Sequence, residues 1–595
     1  MKEKHLAQIV HANAGARGSK IALRAKIDGK WQAISWSELE RQVRAAALAL
    51  LEMGVREGEM VGIFSANCPS WTIADYAILS IRAVSVPIYA TDTVHRAEYI
   101  INDAEIRILF AGSQEQYDKA TSILPLSTFL KKVIVFDPKV KLNGQDNSLY
   151  FHDFLAAGVK SAKEAELEKR LKAATMNDLA TLIYTSGTTG EQKGVMLNHS
   201  NFHYSMLAHD ERLQVSDRDV SMCFLPLSHV FERTWSFYAL SSGMEIVYCD
   251  DTSKIIEYLQ ETHPTVMCAV PRFYEKIYGA VFEKLESAPP AKKKLFLWAI
   301  KTGEQVYLLK KECLSLPFLL KIKYLIAHAL VLKKIQAAVG GRIRFFPCAG
   351  APLSQKIEEF FHSAGIFITY GYGLTETTAT VTCHERTHFR PGTVGKTING
   401  VEVKIGEGNE ILVRGPNVMQ GYYKKPAETA NVFVDGWFRT GDAGCLEDGY
   451  LSITDRLKDV MKTSGGKYIA PQLIETTIGS DHFIEQIIVI GDTRQFVSAL
   501  IVPAFNVLEE YARNKGIPFS SREELTANPE IVRLYKVRIN EKQSELAEYE
   551  KVKRFKLLSA PFTQESGELT PTMKVKRKII LKNHENLIEE MYKGQ

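Results

Sequence analysis

Apolar and polar residues alternate along the chain in a way that predicts helices between buried strands. Residues 36–55 carry apolar side chains at helical spacing, with Ser37 as the predicted N-cap and Gly54 as the predicted end. Short apolar runs typical of strands lie at 60–66, 83–91, 108–111, 132–136, 180–184, 245–248, 265–270 and 343–346. Because helical patterns separate many of these runs, the sequence predicts an α/β fold with largely parallel sheets.

The pattern changes near residue 392. From there to 454 the strands are short and the turns frequent, which predicts an antiparallel, barrel-like subdomain. After residue 457 the charge density rises and mixed helix and strand patterns return. We therefore place a domain boundary there, with a large domain over 1–457 and a small domain over 458–595.

The composition is that of an ordinary globular protein. The 595 residues are 45% hydrophobic and 24% charged, and the net charge of +5 is too small to indicate a nucleic-acid partner. The N-terminus lacks the apolar core of a secretory signal, and no long uncharged apolar run predicts a membrane-spanning helix. Eight scattered cysteines without a CxxC pair fit the reducing cytosol, and we expect each of them to be buried.

A string rich in glycine and hydroxyl residues follows the apolar run at 180–184. It reads YTSGTTGEQKG, and it has neither the spacing of the P-loop nor that of the dinucleotide fingerprint. Glycines let backbone N–H groups approach a ligand, hydroxyls add donors, and a lysine adds positive charge. A short GTTG alone would equally suit a surface turn. The full string predicts a phosphate cradle made of Thr185, Ser186, Gly187, Thr188, Thr189, Gly190 and Lys193.

This string resembles the phosphate-binding motif of the adenylate-forming superfamily, which includes acyl-CoA synthetases, peptide-synthetase adenylation domains and luciferases. Further motifs follow in the family's order, so the resemblance extends over nearly the whole chain. It implies a large N-terminal domain of two α/β sheet subdomains plus a β-barrel-like subdomain, followed by a small mobile α+β domain. It also implies ATP, Mg²⁺ and coenzyme A.

The second motif of this resemblance is YGYGLTET, which begins at Tyr370. By resemblance Tyr372 stacks on adenine, Thr375 contacts phosphate, and Glu376 binds Mg²⁺ together with Thr185. Mg²⁺ prefers oxygen ligands and takes only one or two from the protein, with the rest from phosphates and water. The other residues that the resemblance places beside the nucleotide are Gly350, Ala351, Tyr370, Gly371 and Gly373.

The third motif, WFRTGD, ends at Asp442, and the fourth, DRLKDVMKTSGGK, begins at Asp455. A carboxylate can accept hydrogen bonds from both hydroxyls of a ribose, and by resemblance Asp442 does so beside Arg456. The resemblance makes Lys458 the pivot of the small domain and Lys462 a contact to the nucleotide. The backbone edge that it assigns to the pantetheine arm of coenzyme A is formed by Gly465 and Gly466.

A lysine-rich segment, LTPTMKVKR, lies near the C-terminus. The family places its catalytic lysine in such a segment, usually after a glycine, and the resemblance selects Lys574 for this role. Met573 stands where that glycine is usual, which leaves Lys576 as the alternative. A basic helix start on the surface is the other interpretation of the segment.

The segment PLSHVFERTW is similar to long-chain acyl-CoA synthetases, and in that family the position of His229 lines the acyl site. A packed core histidine is the alternative. The stretch 271–285 and the insertion that follows it resemble the same subfamily. Lysines flank the apolar runs of 291–335, which is typical of helices that rest on anionic membranes, although a buried helix pair with solvated lysine ends would show the same pattern.

The resemblance therefore implies a long-chain fatty acid–CoA ligase. The cysteines indicate a cytoplasmic location, and peripheral contact at the inner face of the membrane is one interpretation of the lysine-flanked runs. The catalytic residues of this ligase would be Lys574, Glu376, Thr185 and His229. Alternatives are a fatty-acyl-AMP ligase that delivers to a carrier-protein thiol, a short-chain or aryl-acid CoA ligase, and a non-catalytic ATP-binding scaffold. The oligomeric state stays open, with a homodimer as one option.

Overall fold

The computed structural model describes residues 5–144, 146–186, 192–286, 288–464, 467–570 and 573–593. The helices are α1 (Gln8–Arg17), α2 (Trp36–Glu52), α3 (Pro69–Ser80), α4 (Val94–Asp103), α5 (Gln114–Ile123), α6 (Phe151–Val159), α7 (Glu164–Ala173), α8 (His199–Leu213), α9 (Val230–Ser241), α10 (Ile255–Thr262), α11 (Pro271–Glu286), α12 (Pro290–Lys311), α13 (Phe318–Ala327), α14 (Lys333–Ala338), α15 (Gln355–Ser363), α16 (Pro426–Asn431), α17 (Pro471–Gly479), α18 (Phe505–Lys515), α19 (Arg522–Ala527), α20 (Pro529–Lys542), α21 (Arg577–Asn583) and α22 (Glu585–Tyr592).

The strands are β1 (Ile21–Ile27), β2 (Lys30–Ser35), β3 (Met60–Phe64), β4 (Val84–Ile88), β5 (Ile108–Ala111), β6 (Lys132–Val135), β7 (Ser148–Tyr150), β8 (Leu179–Ser186), β9 (Gln192–Asn198), β10 (Val220–Cys223), β11 (Glu245–Tyr248), β12 (Val266–Met267), β13 (Phe345–Cys348), β14 (Phe367–Tyr372), β15 (Thr382–Cys383), β16 (Lys396–Thr397), β17 (Glu402–Ile405), β18 (Glu410–Arg414), β19 (Gly421–Tyr422), β20 (Phe433–Val434), β21 (Trp437–Glu447), β22 (Tyr450–Arg456), β23 (Met461–Lys462), β24 (Tyr468–Ile469), β25 (Ile484–Ile490), β26 (Val497–Pro503) and β27 (Val552–Leu557).

The large domain contains two α/β sheets. One has the order β19-β9-β8-β4-β3-β5-β6-β7, and its central strands run parallel. The other contains the parallel series β14-β13-β12-β10-β11-β1. Strand β4 is buried along its whole length, as expected of a parallel strand with helices on both faces. The predicted alternation of helices and parallel strands is confirmed.

Antiparallel strands of residues 382–456 continue the second sheet beyond β14. The order there is β17-β18-β21-β22-β16-β15, and β21 pairs with β22 so that Asp442 lies opposite Arg456. This pairing places two predicted ribose contacts side by side.

Helix α2 begins earlier than predicted. Its N-cap is Ser35, whose extended backbone lets the hydroxyl accept the Glu38 N–H at 3.2 Å, so the prediction of Ser37 is wrong. The predicted strand at 265–270 is reduced to Val266–Met267. The expectation that every cysteine is buried is also wrong, because Cys313 and Cys445 are exposed and Cys68 is partly so.

The C-terminal residues form a smaller α+β unit. Its sheet consists of β25, β26 and β27. Two apolar clusters within this unit form its core around these strands. Across the part of the chain that the structure describes, no helix combines the length and apolarity needed to cross a bilayer.

Candidate active site

A buried tyrosine and a carboxylate form the centre of a cleft at the carboxyl end of β14. The Tyr372 hydroxyl donates to Asp442 Oδ2 at 2.6 Å, and Arg456 Nε lies 3.5 Å from Asp442 Oδ1. Burial raises the pKa of Asp442, while Arg456 and the tyrosine hydroxyl oppose this shift. The arrangement fixes the tyrosine ring and still leaves carboxylate lone pairs for a ligand.

A second carboxylate lies near the phosphate-cradle strands. Glu376 Oε1 accepts a hydrogen bond from the Tyr422 hydroxyl at 2.9 Å, and Lys193 Nζ lies 5.0 Å from the centre of the Tyr422 ring. Lys193 pairs across the β8–β9 ladder with Thr185. Burial raises the pKa of Glu376. Tyr422 therefore connects the lysine of the cradle with the predicted metal ligand.

Part of the predicted site lies outside the described residues. This applies to Gly187, Thr188, Thr189 and Gly190 of the cradle, and to Gly465 and Gly466. Ser186 is described only as the last residue of β8. The flanks of the cradle, Thr185 and Lys193, are described, and both are partly buried.

Glycines allow the backbone after β14 to pack closely. A Cβ at Gly371 would lie 2.6 Å from the Thr382 carbonyl oxygen, and one at Gly373 would lie 2.0 Å from that of Ala379. The turn Thr375–Thr377 follows and carries Glu376. These contacts set the distance between Tyr372 and the acidic turn.

Tyr370 anchors the segment that contains the two small residues predicted to border the base. Its hydroxyl accepts the Leu353 N–H at 3.0 Å and donates to the Ala351 carbonyl at 3.1 Å. Gly350 and Ala351 are exposed, and Gly350 has a φ of 91°, which favours glycine. Tyr370 therefore holds this segment in place through hydrogen bonds to the backbone of Ala351 and Leu353.

Helix α9 carries His229 at its N-cap. The His229 Nδ1 accepts the Phe231 N–H at 3.2 Å. Burial, and then the charge of Lys574, lower the pKa of His229 to about 4, so the ring is neutral. Further along α9, Arg233 is buried in an ion pair with Asp75 of α3 and donates to Thr181 Oγ1 of β8 at 2.7 Å, which ties the helix to the first sheet. Arg233 thus supports α9 from within the core.

The two candidate lysines of the C-terminal segment face different neighbours. Lys574 lies in the cleft, where the nearby charges are Arg456, Asp442 and Glu376, and the neutral ring of His229 is also close. Burial, and then Arg456, lower the pKa of Lys574 to about 8. Solvent still reaches the side chain, which therefore stands in an open cleft.

Lys576 faces a separate ion pair near α4. Its charged neighbours are Arg96 and Asp92, which lie 3.3 Å apart between Nε and Oδ1. Burial raises the pKa of Asp92 to about 6. The structure thus brings Lys574, and not Lys576, to the group formed by Asp442, Glu376 and Arg456.

Contacts between α11 and β25 hold the small domain beside this cleft. Arg272 Nη2 of α11 lies 3.1 Å from Glu485 Oε1 of β25. Lys458 is exposed in the turn after β22. Lys462 lies in β23, with its ammonium 5.4 Å from the centre of the Tyr468 ring.

An apolar cavity adjoins Tyr372 between α9 and the ends of β13 and β14. It is lined by His209, Leu213, Phe231, Trp235, Pro347, Cys348, Ala349, Thr369, Gly371, Tyr372, Ala379, Thr380 and Cys383. The cavity offers mostly apolar atoms next to the polar cleft, but its volume is only about 30 Å³, which is room for a water-sized molecule and not for a hydrocarbon chain.

Tyr422 is the site residue that the sequence did not indicate. It lies in the two-residue strand β19, which pairs with β9 through Val195. The GYY segment around it shows no local feature that distinguishes it from other short strands. Its role follows only from the contact with Glu376.

Comparison with known proteins places the chain among enzymes of one family. The sequence model described as AMP-binding enzyme matches residues 10–423, and that of the AMP-binding enzyme C-terminal domain matches 458–595. The long-chain-fatty-acid–CoA ligase FadD15 of Mycobacterium bovis is 36% identical over 95% of this chain and 93% of its own length.

A plant relative supports the same family, and a solved structure supports the fold. Long chain acyl-CoA synthetase 2 of Arabidopsis thaliana is 31% identical over 98% of this chain and 90% of its own. The crystal structure of the adenylation domain of a carboxylate reductase from Mycobacterium chelonae superposes with a TM-score of 0.78 at 20% identity, covering 100% of this chain and 92% of that one. At that identity the superposition supports the fold alone.

Proposed function

The chain belongs to the AMP-binding enzyme family, and from this premise we propose that it is a long-chain fatty acid–CoA ligase that works through an acyl-adenylate. The observation that carries the proposal is the cleft in which Lys574 faces Asp442, Glu376 and Arg456. The two relatives named as a long-chain-fatty-acid–CoA ligase and a long chain acyl-CoA synthetase, at 36% and 31% identity over nearly full length, support the choice of acid and acceptor.

In the first step a carboxylate oxygen attacks the α-phosphorus of ATP. The new bond joins that oxygen to phosphorus, the bond from the α-phosphorus to the bridging oxygen breaks, and pyrophosphate leaves. Because both reactants are anions, catalysis consists mainly of positioning and charge neutralisation. Lys574 neutralises charge at the α-phosphate and carboxylate, while Tyr372, Asp442 and Arg456 hold the nucleoside. In this proposal the nucleotide is bordered by Gly350, Ala351, Tyr370, Gly371, Gly373 and Thr375.

The donor set at Glu376 and Thr185 fits Mg²⁺. A carboxylate and a hydroxyl are both oxygen ligands, and two protein ligands suffice when phosphates and water supply the others. Bound there, Mg²⁺ would neutralise charge on the phosphate oxygens. Tyr422 orients the Glu376 carboxyl, and Lys193 adds its own charge beside the cradle.

In the second step the coenzyme A sulfur attacks the acyl carbonyl carbon. A carbon–sulfur bond forms, the carbon–oxygen bond to AMP breaks, and the thiol proton is released. This step no longer needs Lys574, so we assign the boundary at 457/458 to a hinge at Lys458 that rotates the small domain 458–595. Lys462 would contact the nucleotide and the backbone at 465–466 the pantetheine arm. Lys458→Pro should spare adenylation and block thioester formation, and equal loss of both would contradict the hinge.

The choice of a hydrocarbon substrate rests on the two relatives, because the apolar cavity beside Tyr372 is too small to hold one. Phe231 and Trp235 of α9 line this cavity, and His229 caps the same helix at the cleft. His229 is neutral at physiological pH, so it can border the acyl carboxylate without forming an ion pair with it. A cytoplasmic location with peripheral contact at the inner membrane face belongs to the same proposal, since long-chain acids partition into bilayers.

The decisive experiment follows both steps with a panel of acids. Purified protein is incubated with ATP, Mg²⁺ and each acid, and pyrophosphate–ATP exchange is measured before coenzyme A is added and thioesters are identified by mass spectrometry. We expect exchange and thioesters with long-chain acids. Exchange without a thioester would support the fatty-acyl-AMP ligase, products limited to short or aromatic acids would support the other ligase class, and no exchange would support the scaffold.

A further inference from the structure

Helix α13 presents its apolar side to solvent. Phe318, Leu319, Ile322, Leu325 and Ile326 form one stripe at helical spacing, here called the outer face of α13, and Phe318, Leu319 and Leu325 are 76%, 71% and 66% exposed. In a surface helix of a globular protein such a stripe normally faces the core. In this helix the fully buried residue among those described is Ala327.

The exposure is concentrated in this part of the molecule. Of the 26 large apolar side chains that are exposed in the described residues, 11 lie between Leu295 and Leu330. Helix α12 lies beneath α13 and packs tightly on α15, where a Cβ at Gly303 would lie 1.9 Å from the Ser363 carbonyl oxygen. The α12–α13 pair is therefore firmly attached, and a concentrated apolar surface of this kind marks an interaction site.

The charge around this surface is strongly positive. Residues 290–335 contain ten lysines and two glutamates, a formal charge of +8 against +5 for the whole chain, so the remaining residues together carry −3. Within the described part of the chain, the ion pairs of this segment are limited to Lys311 with Glu312. The positive charge is thus concentrated where the apolar side chains are exposed.

We propose that the outer face of α13 docks on an anionic lipid bilayer, with the apolar stripe inserted among the acyl chains and the surrounding lysines on the headgroups. Apolar residues bordered by lysines bind anionic membranes through both burial and charge. A second copy of this chain fits poorly, because two surfaces of charge +8 would repel each other. The inference rests on the proposed function for its purpose, since it brings the enzyme to a substrate dissolved in the membrane.

Vesicle flotation of the full-length protein without substrates tests this inference. We expect binding to vesicles of phosphatidylglycerol and phosphatidylcholine that is at least about tenfold tighter than to phosphatidylcholine alone and is weakened by salt. The triple variant Phe318→Ser, Leu319→Ser, Leu325→Ser should lose about tenfold or more of this binding. A matched variant, Leu126→Ser, Val159→Ser, Val537→Ser, changes three exposed apolar residues elsewhere and should bind like the parent protein.

Folding and self-association are measured on the same variants. Both should keep parental thermal unfolding and activity on a short, water-soluble acid, because the changed residues are exposed and lie outside the cleft. A second variant, Lys321→Glu with Lys323→Glu, leaves the apolar stripe intact and should still lose anionic binding. Absence of vesicle binding by the parent, equal binding to neutral vesicles, or a dimer in sedimentation that the α13 variant dissociates would overturn the inference. None of these outcomes depends on acid activation.

Discussion

The two halves of the cleft are held in different ways. In the large domain, Tyr372 bonds Asp442 at 2.6 Å, Asp442 pairs with Arg456 across two strands, and Tyr422 bonds Glu376 at 2.9 Å. In the small domain, Lys574 stands on a turn whose own described hydrogen bonds run back to Thr570. The large-domain half is held in position by these hydrogen bonds before any ligand binds. Lys574 reaches the cleft because the small domain lies beside it.

This difference suits a reaction in two steps. Nucleoside binding is needed throughout, so its contacts belong on rigid strands. Neutralisation of the α-phosphate is needed only until pyrophosphate leaves, so its charge belongs on a part that can withdraw. The interdomain contacts agree with this interpretation, because the Arg272–Glu485 ion pair is half-exposed and such pairs contribute only about 0–1 kcal/mol.

The largest effect is expected from Lys574→Ala. Loss of the one charge delivered to the α-phosphate should slow fatty-acid-dependent pyrophosphate–ATP exchange by about 100-fold or more. Thioester formation from supplied acyl-adenylate and coenzyme A should change little. Lys576→Ala is the control, because Lys576 faces Asp92 and Arg96. Equal losses in the two variants would mean that the two lysines have been assigned wrongly.

A smaller effect is expected in the rigid half. Asp442→Ala removes a charged acceptor, worth about 1.5–3 kcal/mol, and should raise the KM for ATP about 10–100-fold while the KM for coenzyme A stays constant. Asp448→Ala removes an 80% exposed carboxylate from the turn between the same two strands and should leave both constants unchanged. A similar rise in both KM values for Asp442→Ala would instead indicate general damage to the sheet.

Local strings predicted several of the residues that the structure brings together. Tyr372, Glu376, Asp442 and Arg456 each lie in a distinctive motif. Tyr372 ends the parallel strand β14, and the antiparallel pair β21–β22 brings Asp442, with Arg456 beside it, to that strand end. Tyr422 could not be found in this way, since its role depends on a contact across 46 residues.

The apolar insertion shows a second limit. The lysine-flanked pattern of 291–335 predicted helices, but it suited a buried pair and a surface pair equally well. Helical period reports which side chains share a face, and it does not report what covers that face. The exposure of Phe318 and Leu319 follows from the tertiary structure, in which α12 packs on α15 and α13 lies on the outside of α12.

The pH dependence of the exchange reaction should report on the small-domain half of the cleft, through the charge of Lys574. The pKa of Lys574 is lowered to about 8, and its protonated form is the active one, so positive charge is lost as the pH rises through that value. The kcat/KM of the exchange reaction should therefore fall about tenfold per pH unit above about 8. Lys574→Arg keeps its charge at all accessible pH values and should remove this alkaline limb. The same limb in both proteins would assign it to another group.

The smallest effect is expected from Met573→Gly, at the position where the family usually has glycine. Met573 has a φ of 61°, so the left-handed conformation that favours glycine is kept with a side chain present, at a cost of roughly 1–2 kcal/mol. Met573→Gly relieves this strain, but it also gives the turn more conformational freedom, and ordering it then costs about 0.4–1 kcal/mol. Because the two effects oppose each other, exchange should change by no more than about twofold.

Met573→Ile tests the same turn in the opposite direction. A β-branched residue is a stronger outlier in this conformation, so the turn should shift and displace the ammonium of Lys574. Exchange should then fall about tenfold, the equivalent of about 1.4 kcal/mol, while thioester formation from supplied acyl-adenylate is unchanged. If glycine and isoleucine gave the same exchange rate, the backbone at Met573 would not control the delivery of Lys574, and the small-domain half would owe its position to the domain interface alone.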